Sequence, residues 1–196
     1  MQTYLSEGII LHALNFREFD QIVTVFTENE GLIKFFAKRG NANKNKMKSL
    51  PLTRAEFVYT IGKSELYSLT EISPKEHYLQ LRQNLKTLNK ACDCLKAILK
   101  TQMLHKPAPF LYKLLTAYLS KIPDFLNNEA LDSSFHLKIL QHEGILDLES
   151  NSYFSSDQLI LANHLTNENY FSNLQKIVVS ADFNHKVKCL FEDSFH

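Results

Sequence analysis

Apolar residues in the first 74 positions come in short runs rich in β-branched and aromatic side chains, separated by turn signals, and that pattern predicts strands. The runs are Gly8 to Leu14, Gln21 to Thr27, Leu32 to Lys38, Ala55 to Ile61 and Glu65 to Ile72, with tight turns at Gly31 and at 62–64. Residues 40–50 lack apolar periodicity and read as a long exposed loop between strands. Five short strands in succession suggest a small closed barrel, because closure removes the edges that an open sheet of this size would expose.

From Tyr78 the period changes. Leu81, Leu85, Leu88, Cys92, Leu95 and Leu99 recur at steps of four and three, the spacing of one face of a long amphipathic helix. Pro107 or Pro109 can open a second helix, which Pro123 closes. A third is expected from Leu131 to about Glu143, with Gly144 as a left-handed C-terminal cap. Ser155 and Gln158 fit a capping box for a fourth, and Val187, Leu190 and Phe191 share one side of a last helix over 184–195. Pro74 interrupts the strand pattern just where the period switches, which places a boundary near 73–77. The expected class is α+β, a five-stranded barrel over 1–76 followed by an α-helical bundle over 77–196.

Charge changes the picture by its distribution, since the formal net charge is only +1. No acid falls between Glu30 and Glu56, whereas Lys34, Lys38, Arg39, Lys44, Lys46, Lys48 and Arg54 do. From Arg82 to Lys121 the single acid is Asp93, and from Ile122 to Asn184 the balance reverses, with only Lys138 and Lys176 against the acids. The chain is therefore expected to be electrically polar. No apolar run approaches the ~20 residues that span a bilayer, and the N-terminus lacks a signal-like pattern. With three cysteines, an odd number, the chain is read as cytoplasmic, with reduced thiols and no membrane contact.

Candidate chemistry concentrates in the run Leu32 to Lys38. Alternation sends Ile33, Phe35 and Ala37 to one side and Lys34, Phe36 and Lys38 to the other, so that an aromatic ring sits between two ammonium groups. A base can stack on such a ring while the cations hold phosphates; packing of Phe36 under the helices, with the lysines merely solvated, accounts for the strand equally well. Lys44, Lys46 and Lys48 can fan out along a phosphate backbone. Arg82, Lys86 and Lys90, spaced by four and extended by Lys96 and Lys100, line a helix beside its apolar row, where they could hold a second DNA strand or an acidic partner tail, or simply snorkel over the core edge. Cys92 and Cys94 point to different helical faces, and His136 and His142, six apart, suit the surface or an interface better than a metal. Glu18 and Asp20 suit a turn or cap. No phosphate loop, nucleophile elbow or paired catalytic set is present, so no enzyme, metal or cofactor is expected.

The stretches Glu7 to His12, Phe16 to Thr27, Glu30 to Gly40 and Leu50 to Leu52 closely resemble, in order, the start of RecO proteins. Tyr78 to Leu81 and Phe135 to Gly144 match them by pattern only. The resemblance implies an OB-fold (oligonucleotide-binding) barrel joined to a helical domain, and a recombination mediator in DNA repair that binds single- and double-stranded DNA, anneals complementary strands and helps load recombinase. It implies RecR and the acidic tail of single-stranded-DNA-binding protein as partners, and RecA recombinase indirectly. DNA contact carries over onto Lys34, Phe36, Lys38, Arg39, Lys44, Lys46 and Lys48, and more weakly onto Arg17. Many relatives hold a four-cysteine zinc module after the helix matching Phe135 to Gly144, but Ile145 to Asn151 contain no cysteine here. The alternative reading is a non-catalytic protein-interaction module whose basic helix recruits an acidic tail, with nucleic-acid binding incidental.

Overall fold

The computed structural model describes residues 2–16, 20–38, 49–62, 64–148 and 153–195. Five strands, β1 (Thr3–Phe16), β2 (Asp20–Thr27), β3 (Gly31–Ala37), β4 (Thr53–Thr60) and β5 (Tyr67–Glu76), close into a barrel in the order β1-β2-β3-β5-β4. All neighbours are antiparallel except β3 and β5, whose parallel ladder is confined to Phe35 with Tyr67 and Phe36 with Ser68. Ile10, Val23, Val25, Ile33, Phe35, Ala55, Phe57, Tyr59 and Ile72 fill the interior, as period-two alternation requires. Helices follow, and the α+β arrangement is the one the sequence pattern implies.

Two expectations about the barrel need correction. Pro74 does not end the last strand: β5 continues to Glu76, with Pro74 paired to Ala55. At that end β5 has a ladder to β4 alone, and a residue lacking an N–H is tolerated at such an edge. β1 is also longer than its apolar run, and its register with β2 slips between Ile10 and His12. Leu11 is thus the extra residue of a β-bulge, which reverses the facing of everything after it.

The helices are α1 (Leu79–Arg82), α2 (Leu85–Thr101), α3 (Pro109–Lys121), α4 (Ala130–His142), α5 (Ser156–Asn167), α6 (Phe171–Leu174) and α7 (Ala181–Ser194), with a 3-10 turn at Ile122–Phe125. Pro109 opens α3 and Pro123 lies in the 3-10 turn that follows it. Gly144 adopts φ 72°, and Ile145 N donates to Leu140 O at 3.0 Å, closing α4 as anticipated. Both halves of the Ser155–Gln158 capping box are made. None of the described helices is long and apolar enough to cross a membrane.

The first helix differs from the expected one. It breaks at 83–84, where Asn84 Oδ1 accepts from Lys86 N at 2.8 Å and starts α2 afresh. The buried face of α2 is then Thr87, Ala91, Cys94, Leu95 and Ile98, while Leu85 is 72% exposed. The leucine row alone therefore misplaces the face.

The chain divides into two compact units, Met1–Leu79 with Ile98–Leu115, and Gln80–Ala97 with Thr116–His196. In the first, the segment after α2 packs on the barrel: His105 N donates to Leu32 O at 2.9 Å, and the Tyr112 ring lies 6.0 Å from Phe26. In the second, α4 is buried from Ala130 to Leu140 on every side, and its polar residues find partners inside. Ser133 Oγ donates to Asn184 Oδ1 (2.9 Å), and Ser134 Oγ to Leu165 O (2.8 Å).

Candidate nucleic-acid interface

On β3 the side chains alternate as the sequence requires. Ile33 and Phe35 enter the core, and Lys34, Phe36 and Lys38 face outward, Phe36 half-buried and Lys38 exposed. The outer wall of β1 to β3 has two parts. Around Ile9, Phe26 and Leu32 it is apolar and buried, covered on Phe26 by Tyr112 and on Leu32 by the bridge to Leu104. Beyond Thr24, among the described residues, Leu14 is exposed and Ile22 and Phe36 are half-buried, and these three stand in register across the three strands, with Lys34 and Lys38 on either side of Phe36.

The Phe36 ring meets Phe16 edge-to-face, with centroids 6.2 Å apart and planes at 78°. Leu14 is 53% exposed and Phe16 38%. Their position follows from the bulge at Leu11. Strict alternation from the inward-facing Ile10 would bury Leu14 and Phe16; instead Ala13 pairs with the inward-facing Val23, and Leu14 and Phe16, one and three residues further on, turn out. Arg17, Arg39, Lys44, Lys46 and Lys48 lie outside the described residues, as does Glu18. The return of the basic loop is placed: Ser49 Oγ donates to Gln21 Oε1 at 2.6 Å, and Gln21 is the register partner of Ala37. Residues 38 and 49 therefore both lie at the Phe36 end of β2 and β3.

Residues 1–78, the span of the barrel, match the family model described as "Recombination protein O N terminal". Over 143 residues the chain is 30% identical to the DNA repair protein RecO of Chlamydia pneumoniae, covering 72% of this chain and 56% of that protein. It is 30% identical over 145 residues to RecO of Streptococcus equi subsp. zooepidemicus, covering 74% and 57%, and 28% identical over 150 residues to RecO of Chlamydia muridarum, covering 76% and 63%. The chain belongs to the RecO family. It spans little more than half the length of these curated relatives, and its closed five-stranded barrel is the family's OB-fold.

This RecO-family chain does not fit a zinc module between 145 and 151, where no sulfur ligand exists. Among the described residues no three His, Cys, Asp or Glu side chains gather as a metal site. Cys94 is buried, and burial raises its thiol pKa well above the ordinary value. His136, expected at the surface or an interface, is buried within the chain: its Nδ1 donates to Asp132 O at 2.8 Å and its ring meets Phe191 edge-on at 4.7 Å. Burial lowers its pKa, so the ring is held neutral.

The basic helix stripe separates. Arg82 is half-buried, and Lys86 is exposed, its Nζ 3.3 Å from Asn127 Oδ1. Lys90 turns inward, only 12% exposed, and pairs with Asp132 and, at 3.3 Å, with Glu129. Burial favours the neutral amine, but the two carboxylates outweigh it and hold the Lys90 pKa above its usual value. One ammonium cannot neutralise two carboxylates. Burial, helped by the hydrogen bond with Glu129, pushes Asp132 up to about 7, while Glu129 is held below its ordinary range by that hydrogen bond and by Lys90 in spite of its own burial. Lys90 is thus engaged within the helical unit.

Proposed function

We propose that this chain binds single- and double-stranded DNA through the outer wall of its barrel, anneals complementary strands and helps load recombinase during DNA repair, without catalysing a covalent step. The observation that carries this reading is the placement of Phe36 between Lys34 and Lys38 on the outward face of β3, beside the point where the lysine-rich loop returns. Ring and cations together suit a strand whose bases stack and whose phosphates pair, without reading sequence. Lys34, Phe36 and Lys38 form the described part of the site, and Arg17, Arg39, Lys44, Lys46 and Lys48 extend it. The names of the relatives support a role in DNA repair; RecR, the tail of single-stranded-DNA-binding protein and, through them, RecA are proposed as partners on the family resemblance.

A salt titration of oligonucleotide binding tests this reading. For a single strand, log affinity falls with log salt at about 0.7 per phosphate neutralised, so five contacts give a slope near ~3.5. Replacing Lys44, Lys46 and Lys48 with Ala should lower that slope by about 2 and slow annealing of complementary oligonucleotides. An unchanged slope would remove the loop from the site. In the alternative, recruitment of an acidic tail by the helix stripe, Lys90 is already held by two carboxylates.

A further inference from the structure

We propose that Phe16, Leu14 and Ile22 form with Phe36 an apolar corner that holds one unstacked nucleobase and makes this wall selective for single strands over duplex. The inference rests on the DNA-binding reading above and adds the residues of β1 and β2 and the form of the ligand. Three observations carry it. The bulge at Leu11 turns Leu14 and Phe16 out of the barrel, and bulges recur where a side chain is re-aimed for a ligand. Leu14 and Ile22 stand in register with Phe36, so a partly exposed apolar strip crosses three strands at a ring that has a lysine on each side. Phe16 stands at 78° to Phe36 with centroids 6.2 Å apart, which makes the pair an L rather than a flat platform.

Charge orients the occupant. Lys34 and Lys38 lie two residues either side of Phe36, about 13 Å apart along β3, and set the phosphate track there. The backbone therefore follows β3 and the base reaches over β2 toward β1, one face on a ring and one edge against the other. A base inside a duplex has both faces covered by its neighbours and cannot enter an L of this kind, whereas an unstacked base on a single strand can. Stacking on apolar side chains does not read base identity, so the corner is tolerant of sequence.

The test uses the whole chain, a labelled mixed-sequence 20-mer and a hairpin duplex of equal length, with affinities read by fluorescence anisotropy at several salt concentrations. Phe16→Ala should weaken single-strand binding about fivefold or more and leave duplex binding within about twofold, with the salt slope unchanged because no cation is removed. Phe16→Tyr, which keeps the ring, should restore binding. Leu14→Ser, on a half-exposed position, should weaken single-strand binding in the same direction and serves as a second variant should Phe16→Ala fold poorly. Equal losses on both ligands, or an undiminished single-strand affinity, would overturn the corner while leaving the DNA-binding reading standing. If the unaltered chain binds neither ligand with a salt-dependent affinity, that reading falls and the corner with it.

Discussion

Gly31 illustrates how a single position ties the barrel to what covers it. It ends the β2–β3 turn at φ 71°, and a Cβ there would come within 2.0 Å of Lys106 O. The same contact region holds the Leu32–Leu104 bridge, and His105 itself sits at φ 58°. Gly31→Ala should therefore lower the unfolding free energy by more than the ~1–2 kcal/mol of left-handed strain alone, because backbone rather than a flexible side chain must move. Urea denaturation checks this, and an unchanged midpoint would show that the 104–106 segment can shift at no cost. Glycine at a turn was legible in the sequence, but the approach of Lys106 from 75 positions further on was not.

At the scale of elements, strands were easy to read and helix faces were not. β3 has its core residues at 33 and 35 and its polar ones at 34 and 38, so alternation alone placed Lys34, Phe36 and Lys38 outside. β1 defeats the same logic, because a bulge leaves no mark in the pattern of residues. Period-two alternation from Ile10 therefore does not show that Leu14 and Phe16 turn outward. In α2 the leucine row pointed to one face and packing chose another, lined by Thr87, Ala91 and Cys94, whose small size is invisible to a count of large apolar residues. Capping chemistry is more local and correspondingly more legible. Ser155→Ala removes the acceptor for Gln158 N and should destabilise α5 by about 1 kcal/mol in equilibrium unfolding, whereas Ser155→Asp should cost far less.

For the molecule as a whole, the charged trio in the helical unit makes stability depend on pH. Asp132 has its folded pKa raised to about 7 from an ordinary 3.8, so the folded chain holds a proton that the unfolded chain releases. This contribution is fully present below pH 3.8 and is lost as pH rises through about 7. His136 acts in the opposite sense: its lowered pKa means that folding loses stability as pH falls through 6.5, where the unfolded ring takes up a proton. Asp132→Asn isolates the first effect. Its stability relative to the unaltered chain should climb between pH 4 and 7, read by denaturant titration at each pH, and a flat or falling difference would refute the assignment of the proton. Lys90→Met, which strands the carboxylates, should destabilise by several kcal/mol, roughly 3–5 for a broken buried pair.

The sequence by itself determined the succession of five strands and then helices, the outward set on β3, the caps at Gly144 and Ser155, and the family, because each depends on neighbours within a few positions or on motifs in order. Tertiary structure alone decided that residues 98–115 group with the barrel, that Lys90 and His136 turn into the helical unit, and that Leu14 and Phe16 turn out beside Phe36. Each of those outcomes depends on which distant side chain or backbone group competes for a buried place or a hydrogen bond, and periodicity along one chain carries no record of that competition.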